Sequence, residues 1–298
     1  MRNTNYNIQC FYGETLNMNN FDFLNISNLL APQISDDFEK KEGLIKIRME
    51  HENSMKHPPI LFVPGSFSGA WIWRGNFLEY FHEAGLDVAA MSFGSHGWRG
   101  WELWQRGLSE FDRDLKEAIS QFDSPPILVA HSLGGLIAQR VALQVPVKAL
   151  ALLSPIPIDG VAPSVFSLAK KSPLSLLKLA SITFEPRFSR LAEAPLGIYS
   201  EDVRQEIQNE FSGRLQAESP LVLLQSLFHH IDTEKTFTCP VHFWGAEGDH
   251  IIPASEVERS ARALQAPYRI FPGMSHTYQS EPNWKDVASD MLSWINKI

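Results

Sequence analysis

The segment Ile127-Leu-Val-Ala-His-Ser-Leu-Gly-Gly135 runs from an apolar, strand-like stretch directly into a helical one, with Ser132 at the junction. A serine on a tight strand-to-helix turn exposes its hydroxyl above the helix N-terminus, and the small Ala130 and Gly134 leave the backbone room for that turn. A serine hydroxyl is a poor nucleophile until an imidazole removes its proton and a carboxylate orients the imidazole. Both groups follow in the chain: Asp249 after the apolar run Val241–Trp244, and His276 after Tyr268–Phe271. Taken singly, Ser132 reads as a helix N-cap, Asp249 as a turn or cap residue and His276 as a structural histidine. Their order, each just beyond a strand-like run, favours nucleophilic acyl chemistry over three unrelated roles. Glu247 is the alternative carboxylate.

A fourth element is Ile60-Leu-Phe-Val-Pro-Gly-Ser66-Phe67-Ser-Gly-Ala-Trp71, a strand-like run ending in a Gly-containing turn. Such a turn can bring a backbone N–H toward Ser132, where it would pair with the N–H of Leu133 to stabilise a tetrahedral oxyanion. Ser66 is the first candidate for that second donor and Phe67 the next, because spacing alone does not set the turn geometry. Ser95-His96-Gly97 follows another strand-like run, and His96 is read as a loop-packing residue. Trp98, Trp101 and Trp104 recur every three residues and read as a packing face. His229, His230, His242 and His250 do not make metal-ligand spacing with one another or with the cysteines. There is no Gly-rich phosphate loop or dinucleotide fingerprint, so no cofactor is expected.

The elements that must position these residues alternate along the chain. Leu44–Met49, Ile60–Val63, Val88–Phe93, Ile127–Ala130, Ala149–Leu153, Val241–Trp244 and Tyr268–Phe271 are short apolar runs suited to strands, most of them buried on both faces. Helical periodicity marks Asn76–Glu83, Leu108–Phe122, Leu133–Leu143, Ser255–Leu264 and Trp284–Ile295. This alternation predicts an α/β architecture with a mostly parallel sheet and its site at the carboxyl ends of the strands. An Asn-rich start, residues 1–43, is expected to be an extension with one edge strand around Ile8–Tyr12, making eight strands in all. Residues 155–235 separate two strands by far more than a usual connection and contain helical stretches at Ser167–Leu179, Glu201–Leu215 and Leu221–Ile231. They predict a helical cap inserted into a core formed by residues 44–154 and 236–298.

Together, Val-Pro-Gly-Ser-Phe-Ser-Gly-Ala-Trp and Ala-His-Ser-Leu-Gly-Gly, with the later Asp249 and His276, resemble the α/β-hydrolase superfamily over residues 44–298. Within it they look most like the serine esterase and lysophospholipase-like branch, related to plant methylesterases and hydroxynitrile lyases. The resemblance implies Ser132 as nucleophile, His276 as base, Asp249 as acid, and the N–H groups of Ser66 and Leu133 as oxyanion donors; it also offers Asp159, shortly after the run ending at Leu153, where some relatives place the acid. Three positions depart from the pattern. Ala130 replaces the usual glycine two residues before the serine, and Pro64 replaces the histidine that commonly precedes Gly65. Thr277 stands where the plant lyases carry a lysine, so cyanohydrin cleavage is not expected.

The expected activity is hydrolysis of a carboxylic ester through an acyl-enzyme, on a small-molecule substrate with a hydrophobic acyl or alcohol group. The apolar stretches Val165–Leu168, Pro173–Leu179 and Pro220–Phe228 would wall its pocket. Thioester hydrolysis, acyl transfer and carbon–carbon bond hydrolysis use the same triad and are alternatives. A binding protein on this fold, holding an apolar ligand without chemistry, is an alternative of another class. Composition removes other classes. The 298 residues carry 34 acidic against 26 basic side chains, a net charge of −8, which argues against a general nucleic-acid binder. The longest apolar tract, Ala149–Ile158, is too short and too interrupted to span a membrane. Met1–Gly13 has no apolar run to serve as an export signal, and Cys10 and Cys239 are too few for a disulfide framework, so a cytoplasmic protein is expected.

Overall fold

Short apolar runs closed by proline, glycine or polar residues become strands. In the computed structural model, which describes residues 44–50, 57–94, 101–185, 194–232 and 237–298, seven strands build one sheet. They are β1 (Ile45–Met49), β2 (Ile60–Val63), β3 (Val88–Met91), β4 (Ile127–His131), β5 (Ala149–Leu153), β6 (Val241–Ala246) and β7 (Tyr268–Phe271). Their spatial order is β1-β3-β2-β4-β5-β6-β7, and every pair is parallel except β1 with β3. Strands β2 to β5 are buried along their whole length, as parallel strands covered on both faces must be. The eighth strand expected at Ile8–Tyr12 lies outside the described residues, as do Cys10, His96 and Trp98.

Because side chains alternate across a strand, each strand feeds two cores. Leu61, Val63, Leu128 and Ala130 face one side, where they pack with Phe111 and Leu115 of helix Leu108–Ile119 and Ile137 and Val141 of helix Leu133–Ala142. Ile60, Phe62, Ile127 and Val129 face the other, against Phe77 and Phe81 of helix Phe77–Glu83 and Val287 and Met291 of helix Trp284–Ile295. Each Val, Leu, Ile, Phe or Met side chain among them removed fully from water contributes about 1.5–3 kcal/mol. Helix Ala254–Ala263 covers the first face beside β6 and β7 through Val257 and Ala261.

Among the described residues, four helices lie between β5 and β6: Ala162–Lys171, Pro173–Phe184, Gln205–Gly213 and Pro220–Leu227. The single helix expected at Ser167–Leu179 is two, and Pro173 is the reason. Proline has no N–H and its ring clashes with the preceding turn, so it ends one helix and opens the next from its first position. Ser172 completes the break by accepting the Ser175 N–H at 3.3 Å as the new N-cap. The helix expected from Glu201 begins at Gln205, because the preceding residues form a turn closed by the Val203 N–H on the Ser200 carbonyl.

Candidate functional site

The parallel strands β2, β4, β6 and β7 all end at the same edge of the sheet, so the loops that follow them meet there. Ser132 follows β4 at the centre of the sheet and opens helix Leu133–Ala142. Its φ of 53° and ψ of −120° put a non-glycine residue in a strained conformation, a kind of strain that concentrates at functional sites and costs about 1–3 kcal/mol. The surrounding backbone holds it there. The Ser132 N–H donates to Leu153 O at 3.1 Å, and the Ser132 carbonyl accepts the N–H groups of Gly135 and Ile156 at 3.0 and 3.1 Å. The turn is possible because Gly134 lies against β2: an added Cβ there would stand 2.3 Å from the Pro64 carbonyl oxygen.

The Ser132 side chain caps no helix N–H. Its Oγ lies 3.1 Å from His276 Nε2, and His276 Nδ1 lies 2.7 Å from Asp249 Oδ2. The donor and acceptor chemistry sets the tautomer: a carboxylate only accepts, so Nδ1 carries the hydrogen and Nε2 is left to accept from the serine hydroxyl. All three residues are buried. Asp249 is itself fixed, its Oδ1 accepting the N–H groups of Ile251 and Ile252 at 2.8 Å each. The three residues singled out along the chain therefore converge, in an arrangement able to pass a proton from serine to imidazole.

Glu247 is exposed beside this cluster, and Asp159 is paired at the surface with Arg259 and with His230. Neither touches His276 Nδ1, which Asp249 occupies. Leu133 follows Ser132 at the start of the helix, and Ser66 follows Gly65 on the loop after β2, where a Cβ added to Gly65 would stand 3.0 Å from Ser132 Cβ. No hydrogen-bond acceptor for either amide is found among the described residues. Phe67 differs, since its N–H donates to Glu218 Oε2 at 3.2 Å.

Further contacts hold the histidine loop. His131, fully buried, donates from Nε2 to the His276 carbonyl at 2.9 Å, and its ring lies 4.7 Å from that of His276. Burial, reinforced by the neighbouring His276, holds the His131 pKa well below the ordinary value, so it is a neutral strut. The His276 and Thr277 N–H groups donate to the carbonyls of Gly197 and Ile198, both at 3.0 Å. Glu281 accepts the Ser275 N–H at 3.1 Å, and its carboxylate also accepts the Ser200 N–H and hydroxyl. Burial raises the Glu281 pKa against those hydrogen bonds. The segment between β5 and β6 thus takes part in holding His276. Glu281 and Glu218 gave no signal in the sequence: each sits in a polar stretch that reads as a surface loop.

At the opposite end of β6 lies a cleft of about 410 Å³ lined in part by Cys239, Leu264, Ala266 and Trp294. Burial pushes the Cys239 thiol up to about 11, which makes it an unreactive thiol at neutral pH. Among the described residues no three His, Cys, Asp or Glu side chains gather as a metal site requires, and no helix is long and apolar enough to cross a membrane.

The sequence model of the alpha/beta hydrolase family matches residues 60–289. A monoacylglycerol lipase of Mycolicibacterium smegmatis is 25% identical over 238 residues, which cover 73% of this chain and 80% of that protein. Among solved structures, a thermophilic esterase from Thermogutta terrifontis superposes with a TM-score of 0.65 at 16% identity, covering 84% of this chain and 92% of that one. A bromoperoxidase from Bacillus anthracis superposes with a TM-score of 0.63 at 16% identity, covering 84% and 95%. At that identity the two structures share the fold, and their different activities show that the fold alone does not choose the chemistry.

Proposed function

This chain belongs to the alpha/beta hydrolase family, and from that premise we propose that it is a serine hydrolase cleaving a carboxylic ester through an acyl-enzyme. The observation that carries the reading is the Ser132 hydroxyl turned to His276 Nε2 instead of capping its own helix. In the first step Ser132 Oγ attacks the ester carbonyl while His276 takes its proton, and the Asp249 carboxylate faces the resulting imidazolium. The oxyanion that forms is met by the Leu133 and Ser66 N–H groups, and losing one such donor costs about 3 kcal/mol. His276 then gives its proton to the leaving alcohol. Water, deprotonated by the same imidazole, attacks the acyl-Ser132 carbonyl and frees the acid.

In this reading the helices over residues 155–235 form the cap. They expose Phe166, Leu174, Leu177, Phe184, Leu224 and Phe228, apolar surface that supports a substrate with a hydrophobic acyl or alcohol group. The lipase and esterase among the similar proteins point the same way. Thioesters present the same carbonyl to the same residues, so a series of ester and thioester substrates of increasing acyl length separates the two. The direct test is Ser132→Ala: ester turnover should fall by at least about 10⁴-fold with the fold intact. Unchanged turnover would end the proposal.

A further inference from the structure

Phe67 adopts φ of 63°, in the left-handed region that a bulky side chain rarely enters. Both sides of the residue are held by one short stretch more than a hundred residues away in the chain. The Phe67 N–H donates to Glu218 Oε2 at 3.2 Å, and the Phe67 carbonyl accepts the Gln216 N–H at 2.8 Å. Glu218 is completely buried, and its other oxygen accepts the Ser219 N–H at 2.9 Å. Ser219 in turn caps helix Pro220–Leu227 and donates its hydroxyl to the Arg106 carbonyl at 2.6 Å, so the clamp is anchored to the body of the protein.

We propose that Glu218 is a positioning residue for the oxyanion site: by taking the Phe67 N–H, it leaves the Ser66 N–H as the donor that acts with Leu133. An amide has one hydrogen, and that of Phe67 is directed to a carboxylate. The neighbouring Ser66 amide has no such acceptor among the described residues. The same hydrogen bond holds Phe67 in its unfavourable backbone conformation and thereby sets the path of the loop through Ser66. The segment between β5 and β6 is then a working part of the catalytic site on two sides, supporting Ser66 through Glu218 and His276 through Gly197 and Ile198. This inference rests on the serine hydrolase reading.

The test compares wild type, Glu218→Met, Glu218→Gln and Ser132→Ala in steady-state ester hydrolysis, with folding followed by circular dichroism. Methionine keeps the bulk of the side chain and removes both acceptors. With it kcat should fall about 100-fold, as expected for a displaced oxyanion donor, while KM stays within about threefold. Glutamine retains one acceptor oxygen for two N–H groups, and kcat should fall about tenfold. The Ki of an alkyl boronic acid, whose adduct with Ser132 sets an oxygen in the oxyanion position, should rise in parallel with the loss of kcat. A merely structural role would leave folded protein with normal kcat and Ki. Wild-type kcat in folded Glu218→Met, a rise in KM alone, or a faster Glu218→Gln enzyme would each overturn the proposal. Should Glu218→Met fail to fold, kcat within twofold of wild type in Glu218→Gln overturns it. Loss of turnover in Ser132→Ala with none in the Glu218 variants rejects the clamp alone, whereas turnover surviving in Ser132→Ala rejects the serine mechanism itself.

Discussion

Replacing Gly134 with alanine places one methyl group where the nucleophile helix meets the loop that carries Ser66. The new Cβ would stand 2.3 Å from Pro64 O, 2.9 Å from Val63 O and 3.0 Å from Pro64 C, all of them backbone atoms that no rotamer change can move. A comfortable carbon–oxygen contact is about 3.3 Å or more, so helix and loop must part by about 1 Å. The Pro64 carbonyl is two residues from the Ser66 amide, and the moving helix begins with Leu133, so the separation falls on both of the proposed oxyanion donors. A misplacement of about 1 Å costs on the order of 100-fold in rate, and overpacking of this kind costs about 1–3 kcal/mol of stability. Gly134→Ala should therefore lose about 100-fold in kcat with little change in KM, and melt several degrees lower, at about 2–4 °C per kcal/mol. Gly85→Ala is the control. Gly85 has φ of 92° and nothing within 4 Å of its Cβ position, so alanine there strains the backbone by about 1–2 kcal/mol without touching the site. It should melt lower at unchanged kcat. Steady-state kinetics and thermal melts of both variants decide the matter. Wild-type kcat in Gly134→Ala, or an equal loss in Gly85→Ala, would show that the close approach at Gly134 does not set the geometry of the site.

Asp249→Asn should lower kcat by about 10³–10⁴-fold with near-normal folding: an amide NH₂ facing His276 Nδ1 favours the tautomer whose Nε2 already carries a hydrogen and cannot accept from Ser132. Wild-type kcat in that variant would remove Asp249 from the triad. Stability should fall as pH is lowered from about 6.5 to about 4, in part through His229. Burial, with help from Arg140 and His230, lowers its pKa from 6.5 to about 4, so across that window the unfolded chain takes a proton that the folded chain refuses. Its neutral Nδ1 lies 3.2 Å from Arg140 Nη1 as an acceptor, and His229→Asn should flatten the dependence of Tm on pH over that window. An unaltered slope would show that other groups carry it.

Where apolar runs are closed by proline, glycine or charge, the elements could be read directly. Ile60–Val63, Ala149–Leu153, Tyr268–Phe271 and Trp284–Ile295 have the bounds that the pattern predicts. The meeting of Ser132, Asp249 and His276 was also legible, because a parallel sheet delivers every strand end to one edge and the order of three residue types could be checked against it. What was not legible depends on contacts between distant segments. The Phe67 amide is taken by Glu218, which lies 151 residues away within Gln-Ala-Glu-Ser, a stretch with the look of solvated loop. The support of His276 by Gly197, Ile198 and Glu281 likewise leaves no periodic trace, since it runs mostly through backbone groups. The broken helix at Pro173 is different: the proline was visible, but the strong apolar pattern on both sides of it favoured continuity.

If Ser132 is the nucleophile, it carries the acyl group during turnover. Rapid acid quench during turnover of an activated ester, followed by peptide mass spectrometry, reads this directly. An acyl-enzyme at Ser132 requires the mass of the acyl group on that residue in the wild-type protein and none in Ser132→Ala. Turnover with no adduct at Ser132, or with the acyl group on another side chain, would contradict it.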